Sequence, residues 1–255
     1  MLIRGLFVAL AGFSFIFLPG VIVSTLVRRN IRYETNLLLW GMGIMVITLF
    51  PSLYLTSLLR LIIFKEHSPG MNELYAFSLL GSFIAAIFLA GGIYLFLHFR
   101  RVNPENLLST GILIGLGIGL LTNIFQGISL VGQGFRLVLG DMSLPGMDLL
   151  ASQAWLDLLV KLVGLNIYRI ALVAYNATLA GFVSLALLQK RLRWFWLAIF
   201  LNTVIMWIYT AIGLAWGTES VLANLIALVY EAGLGFLALT WLFRQTSNPP
   251  EKTVN

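Results

Sequence analysis

Long apolar runs separated by short polar loops set the pattern of this chain. Seven runs, roughly residues 5–27, 35–64, 74–99, 107–131, 167–189, 194–215 and 219–243, meet the span test. A helix needs about 20 largely apolar residues to cross about 30 Å of hydrocarbon. None of the runs shows the alternation of a membrane β-strand. A continuous helix also satisfies every backbone polar group internally, as lipid requires. The pattern therefore predicts an all-α, polytopic transmembrane helical bundle of about seven spans. Pro51 is expected to kink the second span and Pro19-Gly20 to bend the first, because proline removes a ladder hydrogen bond.

Composition sharpens the class. Of 255 residues, 60% are hydrophobic and 10% charged, and the mean hydropathy is +0.95. Soluble domains carry about 25% charged residues, so this chain cannot cover a globule with a wetted surface. Soluble enzymes, nucleic-acid modules, disordered tails and disulfide scaffolds are excluded together. The absence of cysteine removes thiolate nucleophiles and cysteine-ligated metals as well.

Charge distribution then orients the spans. Arg28, Arg29 and Arg32 follow the first span, Arg100 and Arg101 the third, Lys190, Arg191 and Arg193 the fifth, and Arg244 and Lys252 the seventh. Seven alternating helices place all of them on one side, where Glu34, Glu105 and Glu251 are outnumbered. On the other side Arg4, Lys65, Arg136 and Lys161 face Glu66, Glu73, Asp141, Asp148, Asp157 and Glu219, so acids prevail. The positive-inside rule predicts an outer N-terminus and an inner C-terminus in a prokaryotic plasma membrane. Trp194, Trp196 and Trp216 suit interfacial anchoring. The first run is too long for a secretory signal and has no small-residue cleavage site, so it reads as a retained helix. The sequence pI of about 9.8 thus reflects topology and lipid contact, and no nucleic-acid partner is expected.

Residues 132–166 form the longest connection. After the turn at Leu144-Pro145-Gly146, Asp148 is placed to cap a helix over about 148–165. Gln153, Asp157 and Lys161 make one polar stripe there, against Trp155, Leu156, Leu159, Leu162 and Val163. That pattern predicts an amphipathic helix lying on the outer leaflet or folded back over the bundle, its polar face either solvated or serving as a lid or partner-docking surface. Residues 1–244 read as a single transmembrane domain and 245–255, with Pro249-Pro250, as a disordered cytoplasmic tail.

Within the spans, Gly111, Gly115 and Gly119 have small-xxx-small spacing, which lets helix backbones approach closely. Glu231 is the acid nearest the middle of a span. A charge there costs at least about 2.5–3.5 kcal/mol on insertion scales, so it marks either a functional group or a paired structural one. Arg169 is its candidate partner. Asn123, Gln126, Asn176 and Asn202 recur on spans four to six, with Thr178 and Thr203 beside them. Such amides either line one polar cavity or make separate interhelical hydrogen bonds. His67 and His98 lie in a loop and at a span end, and no second acid accompanies Glu231. No catalytic residue, metal site or cofactor is assigned on this basis.

The stretch Leu79 to Tyr94, reading LLGSFIAAIFLAGGIY, is followed by a basic loop and then Gly115-Leu116-Gly117-Ile118-Gly119. This order, with Tyr168-Arg169-Ile170, Asn176 and Asn202 beyond it, resembles the YhfC-like membrane metalloproteases over roughly residues 75–215. Those are distant relatives of the PrsW and CAAX-processing (CPBP) proteases. The resemblance implies their fold without their chemistry. Leu89 and Ala90 stand where that family has its glutamate pair, and Ile93 at the following basic position. Ile118 and Thr122 replace a His and a Glu, Tyr168 replaces the Glu before Arg169, and Asn176 and Asn202 replace two histidines. Amides hydrogen-bond but cannot shuttle protons near neutral pH as imidazole does.

The expectation is a non-catalytic, protease-like membrane protein that binds or scaffolds another membrane protein or a hydrophobic segment, with membrane lipid around it. The alternative is a permease or transporter subunit that uses the polar residues and Glu231 as a cation or proton site.

Overall fold

The computed structural model describes residues 1–28, 34–65, 68–143, 147–216 and 221–247. All regular structure among them is helical: α1 (Leu2–Arg28), α2 (Thr35–Ile63), α3 (Met71–Phe99), α4 (Pro104–Leu139), α5 (Met147–Ser152), α6 (Trp155–Leu188), α7 (Arg193–Trp216) and α8 (Val221–Ser247). Six of these, α1 to α4, α6 and α7, are long and apolar enough to span a membrane. In α8 the described apolar stretch is Ala232–Leu242. The chain is a multi-pass helical membrane protein. α1 and α2 remain helical through Pro19 and Pro51.

The segment expected to form a separate interfacial helix is built differently. It divides into the short α5 and the first turns of α6, which continues unbroken to Leu188. The sequence between Leu165 and Tyr168 contains no residue that would stop a helix. At 1.5 Å per residue α6 is about 51 Å long, well beyond the hydrocarbon thickness. Of the expected polar stripe, Asp157 and Lys161 lie on that extension, whereas Gln153 falls in the break between α5 and α6. Leu158 and Leu162 are buried, whereas Leu156, Leu159 and Val163 are exposed. At the C-terminus Gln245 to Ser247 belong to α8, and the rest of the expected tail lies outside the described residues.

Contacts cluster into two compact units. The first comprises 1–30, 119–175 and 228–255, the second 31–118 and 176–227. Thus α4 and α6 each contribute residues to both. They are also the most enclosed spans, with 72% and 83% of their most apolar windows buried, against 11% for α2.

In the first unit, α1 packs against the later part of α4. A Cβ added at Gly5 would stand 2.6 Å from the Gly134 carbonyl oxygen, and one at Gly12 2.8 Å from that of Gly127. Glycine on both helices leaves room for this close approach. Beside this seam Val8, Leu137, Met147, Leu158 and Leu162 form a buried hydrophobic cluster. Gly140, at φ +74°, ends α4 in the left-handed conformation glycine tolerates.

In the second unit, α3 packs against α2 and α7. Trp207 Nε1 donates to the Tyr75 carbonyl at 3.2 Å. Near the α6–α7 turn, Phe182 stacks on Trp194, whose Nε1 donates to Gln189 Oε1 at 2.9 Å. The α4 glycines face two neighbours here. A Cβ at Gly115 would lie 2.3 Å from the Asn176 carbonyl oxygen, and one at Gly117 2.1 Å from that of Leu38.

Candidate functional site

The glycine spacing on α4 continues into a polar position. In the second unit Gly111 faces Ala180 and Ser184, and Gly115 faces Asn176 and Ala177. In the first unit Gly119 faces Val173, and Asn123 donates from Nδ2 to the Arg169 carbonyl at 3.2 Å. Within each unit, as the position on α4 rises its neighbour on α6 falls, so these stretches of the two helices pair antiparallel. This is the packing role expected of Gly111, Gly115 and Gly119.

Asn123 has no exposed surface and Arg169 only 7%. The Arg169 guanidinium lies over two rings, 4.9 Å from the Tyr168 centroid and 5.8 Å from Phe15. Aromatic faces offset part of the cost of holding a cation out of water. Nearby in chain position, Ser14 Oγ donates to Asn166 Oδ1 at 2.8 Å and Asn166 Nδ2 donates to the Leu162 carbonyl at 3.0 Å. The sequence carries no signal for the Ser14–Asn166 pair, because nothing in either span fixes the register between α1 and α6. Asn123 Oδ1 is buried and accepts no hydrogen bond among the described residues. Such an atom carries a desolvation cost of about 1–3 kcal/mol.

The remaining candidates are distributed as follows. Gln126 is exposed. It lies three residues beyond Asn123, a rotation of about 60° around the helix that carries it out to the surface. Asn176 and Asn202 belong to the second unit, where both are buried. Thr178, Ser184 and Thr203 are buried in that unit too, and the hydroxyls of Ser184 and Thr203 bond back to the carbonyls of Ala180 and Ile199. Glu231 lies in α8, and its side chain is outside the described residues. Of the positions where the protease resemblance places ionisable groups, Ala90, Ile93 and Ile118 are buried apolar side chains.

One regularity covers both units. Every buried polar side chain among the described residues is a hydroxyl, an amide or Arg169; none is a carboxylate or an imidazole. His98 is exposed and stacks on Tyr94. No three His, Asp or Glu side chains among the described residues stand close enough to hold a metal ion. Hydroxyls and amides can order helices and bind polar groups.

Comparison with protein-family models, with curated proteins and with solved structures gives no match.

Proposed function

We propose that this chain is a non-catalytic membrane protein of intramembrane-protease-like fold that binds a transmembrane segment of another membrane protein. The observation that carries the non-catalytic half is the chemistry of the described interior: amides, hydroxyls and one arginine, without acid or imidazole. The sequence resemblance of residues 75–215 to the YhfC-like metalloproteases supports the fold, with Asn176 and Asn202 in place of histidines. The basic loops after spans one, three, five and seven support a prokaryotic plasma-membrane location with the N-terminus outside.

The binding half rests on α2, the least enclosed of the six described spans. Trp40, Ile47, Tyr54 and Leu61 recur every seven residues and are 51%, 71%, 72% and 71% exposed. Phe50 is 68% exposed, and a Cβ at Gly43 would meet nothing within 4 Å. Large knobs at heptad spacing beside a small residue suit a helix packing lengthwise against this face.

A photocrosslinking residue placed at Ile47 in cells tests the reading, with one at the buried Ile112 as control. The expected result is one discrete membrane-protein adduct at Ile47 that is lost when Gly43 is changed to Phe. Labelling of lipid alone at Ile47 would overturn it.

A further inference from the structure

A second feature lies in the first unit, where α1 begins and α5 gives way to α6. The last carbonyls of a helix have no partners of their own, and here Arg4 supplies one. Its Nη1 donates to the Leu150 carbonyl at 3.3 Å and to the Ala151 carbonyl. The same guanidinium lies 5.0 Å above the Trp155 ring, which in turn meets Phe7 edge-on at 6.1 Å. Arg4 is thereby fixed at the end of two spans, above the cluster of Val8, Leu158 and Leu162.

Beside it is a cavity of about 460 Å³ lined by Met1, Leu2, Ile3, Arg4, Ala151 and Trp155. That volume falls within the range of small-ligand sites, about 300–1,000 Å³. No acid lines it, and no carboxylate among the described residues is paired with Arg4. Both contacts to α5 use Nη1, so the Nε–H and Nη2–H edge is left for a ligand. This edge is the fork that grips phosphate at two points. The other side chains of the lining are apolar, and Leu2 is 59% and Ile3 72% exposed.

We infer that this cavity is a binding site for the phosphodiester headgroup of a membrane phospholipid. Arg4 takes the phosphate, Trp155 flanks the headgroup at the interface, and Leu2 and Ile3 meet the acyl chains. The apolar walls argue for a lipid over free phosphate, because a small hydrated anion gains nothing from them.

The test is native mass spectrometry of the full chain in a phosphate-free detergent, titrated with phosphatidylglycerol, a neutral galactosyl diacylglycerol, or inorganic phosphate. The tightest adduct is expected to be phosphatidylglycerol, unmatched by the neutral lipid and undisturbed by millimolar phosphate. Arg4→Gln should weaken that adduct by about tenfold or more, the loss of a charge-assisted contact. Because Arg4→Gln also loosens α5, Ile3→Glu provides the second variant. It keeps Arg4 itself and adds a carboxylate to the wall of the same cavity, and it too should weaken the adduct while helical content stays unchanged. Full binding by both variants, or equal binding of the neutral lipid, would overturn the site. Displacement by phosphate alone would show an anion site and overturn the lipid assignment.

Discussion

Replacing Gly115 with alanine probes the contact on which the paired α4 and α6 depend. The added methyl would stand 2.3 Å from the Asn176 carbonyl oxygen and 2.6 Å from the Ala177 Cα. Both are backbone atoms, so no rotamer change relieves the clash and the helices must part by more than 1 Å, on the order of a forced overpacking. Overpacking costs about 1–3 kcal/mol, while alanine in place of glycine in a helix returns about 0.5–1 kcal/mol. The net expectation is a loss of about 1–2 kcal/mol. Gly43 and Gly91 are the internal controls, since a Cβ at either meets nothing within 4 Å. Gly43→Ala and Gly91→Ala should therefore stabilise by about 0.5–1 kcal/mol. Unfolding by sodium dodecyl sulfate in mixed micelles, followed by far-UV circular dichroism, reads all three. A Gly115→Ala variant as stable as the two controls would contradict the close approach of α4 and α6.

Three further outcomes follow from local geometry. Asn123→Leu removes one hydrogen bond to the Arg169 carbonyl together with the buried, unsatisfied Oδ1. In the same titration it should be neutral or stabilising by up to about 1 kcal/mol, and a loss larger than that would contradict the assignment of Oδ1. Lys190 ends α6 at φ +51°, a conformation that costs a side-chain-bearing residue about 1–2 kcal/mol; Lys190→Gly should raise stability by about 1 kcal/mol, and an unchanged unfolding midpoint would contradict it. Asp141, at the surface, is held below its ordinary value of 3.8 first by the Ser143 hydroxyl and then by the Ser143 backbone N–H; desolvation opposes them, and the Arg136 charge 3.0 Å away adds the least. A depressed carboxylate contributes stability above its unfolded value and loses it as pH falls through the folded one. The ¹³C carboxyl titration of Asp141 should thus have its midpoint below 3.8, and a midpoint at or above that value would contradict the contact.

Six spans are legible because lipid imposes length and apolarity on every crossing helix; the α2 and α7 ends fall within two residues of the hydropathy edges, whereas α4 and α6 run well beyond them. The region after Pro145 departs from the expected single interfacial helix for a physical reason. Gln153, Asp157 and Lys161 do repeat at helical spacing, but amphipathicity cannot separate a helix lying on the membrane from a spanning helix that protrudes. Glycine spacing on α4 announced close packing but not its partner. That Gly115 meets Asn176 and Ala177 depends on the antiparallel register of two long helices, which no local signal encodes. Arg4 shows the same limit. As one charge at a span end it reads as a topology determinant, whereas its partners lie about 150 positions away in sequence.

The measurement that bears most directly on the absence of catalysis is hydrolysis of fluorogenic transmembrane peptides by the full chain in proteoliposomes. The account predicts no turnover above protein-free liposomes. Turnover that disappears on Asn202→Ala or Glu231→Ala would contradict it.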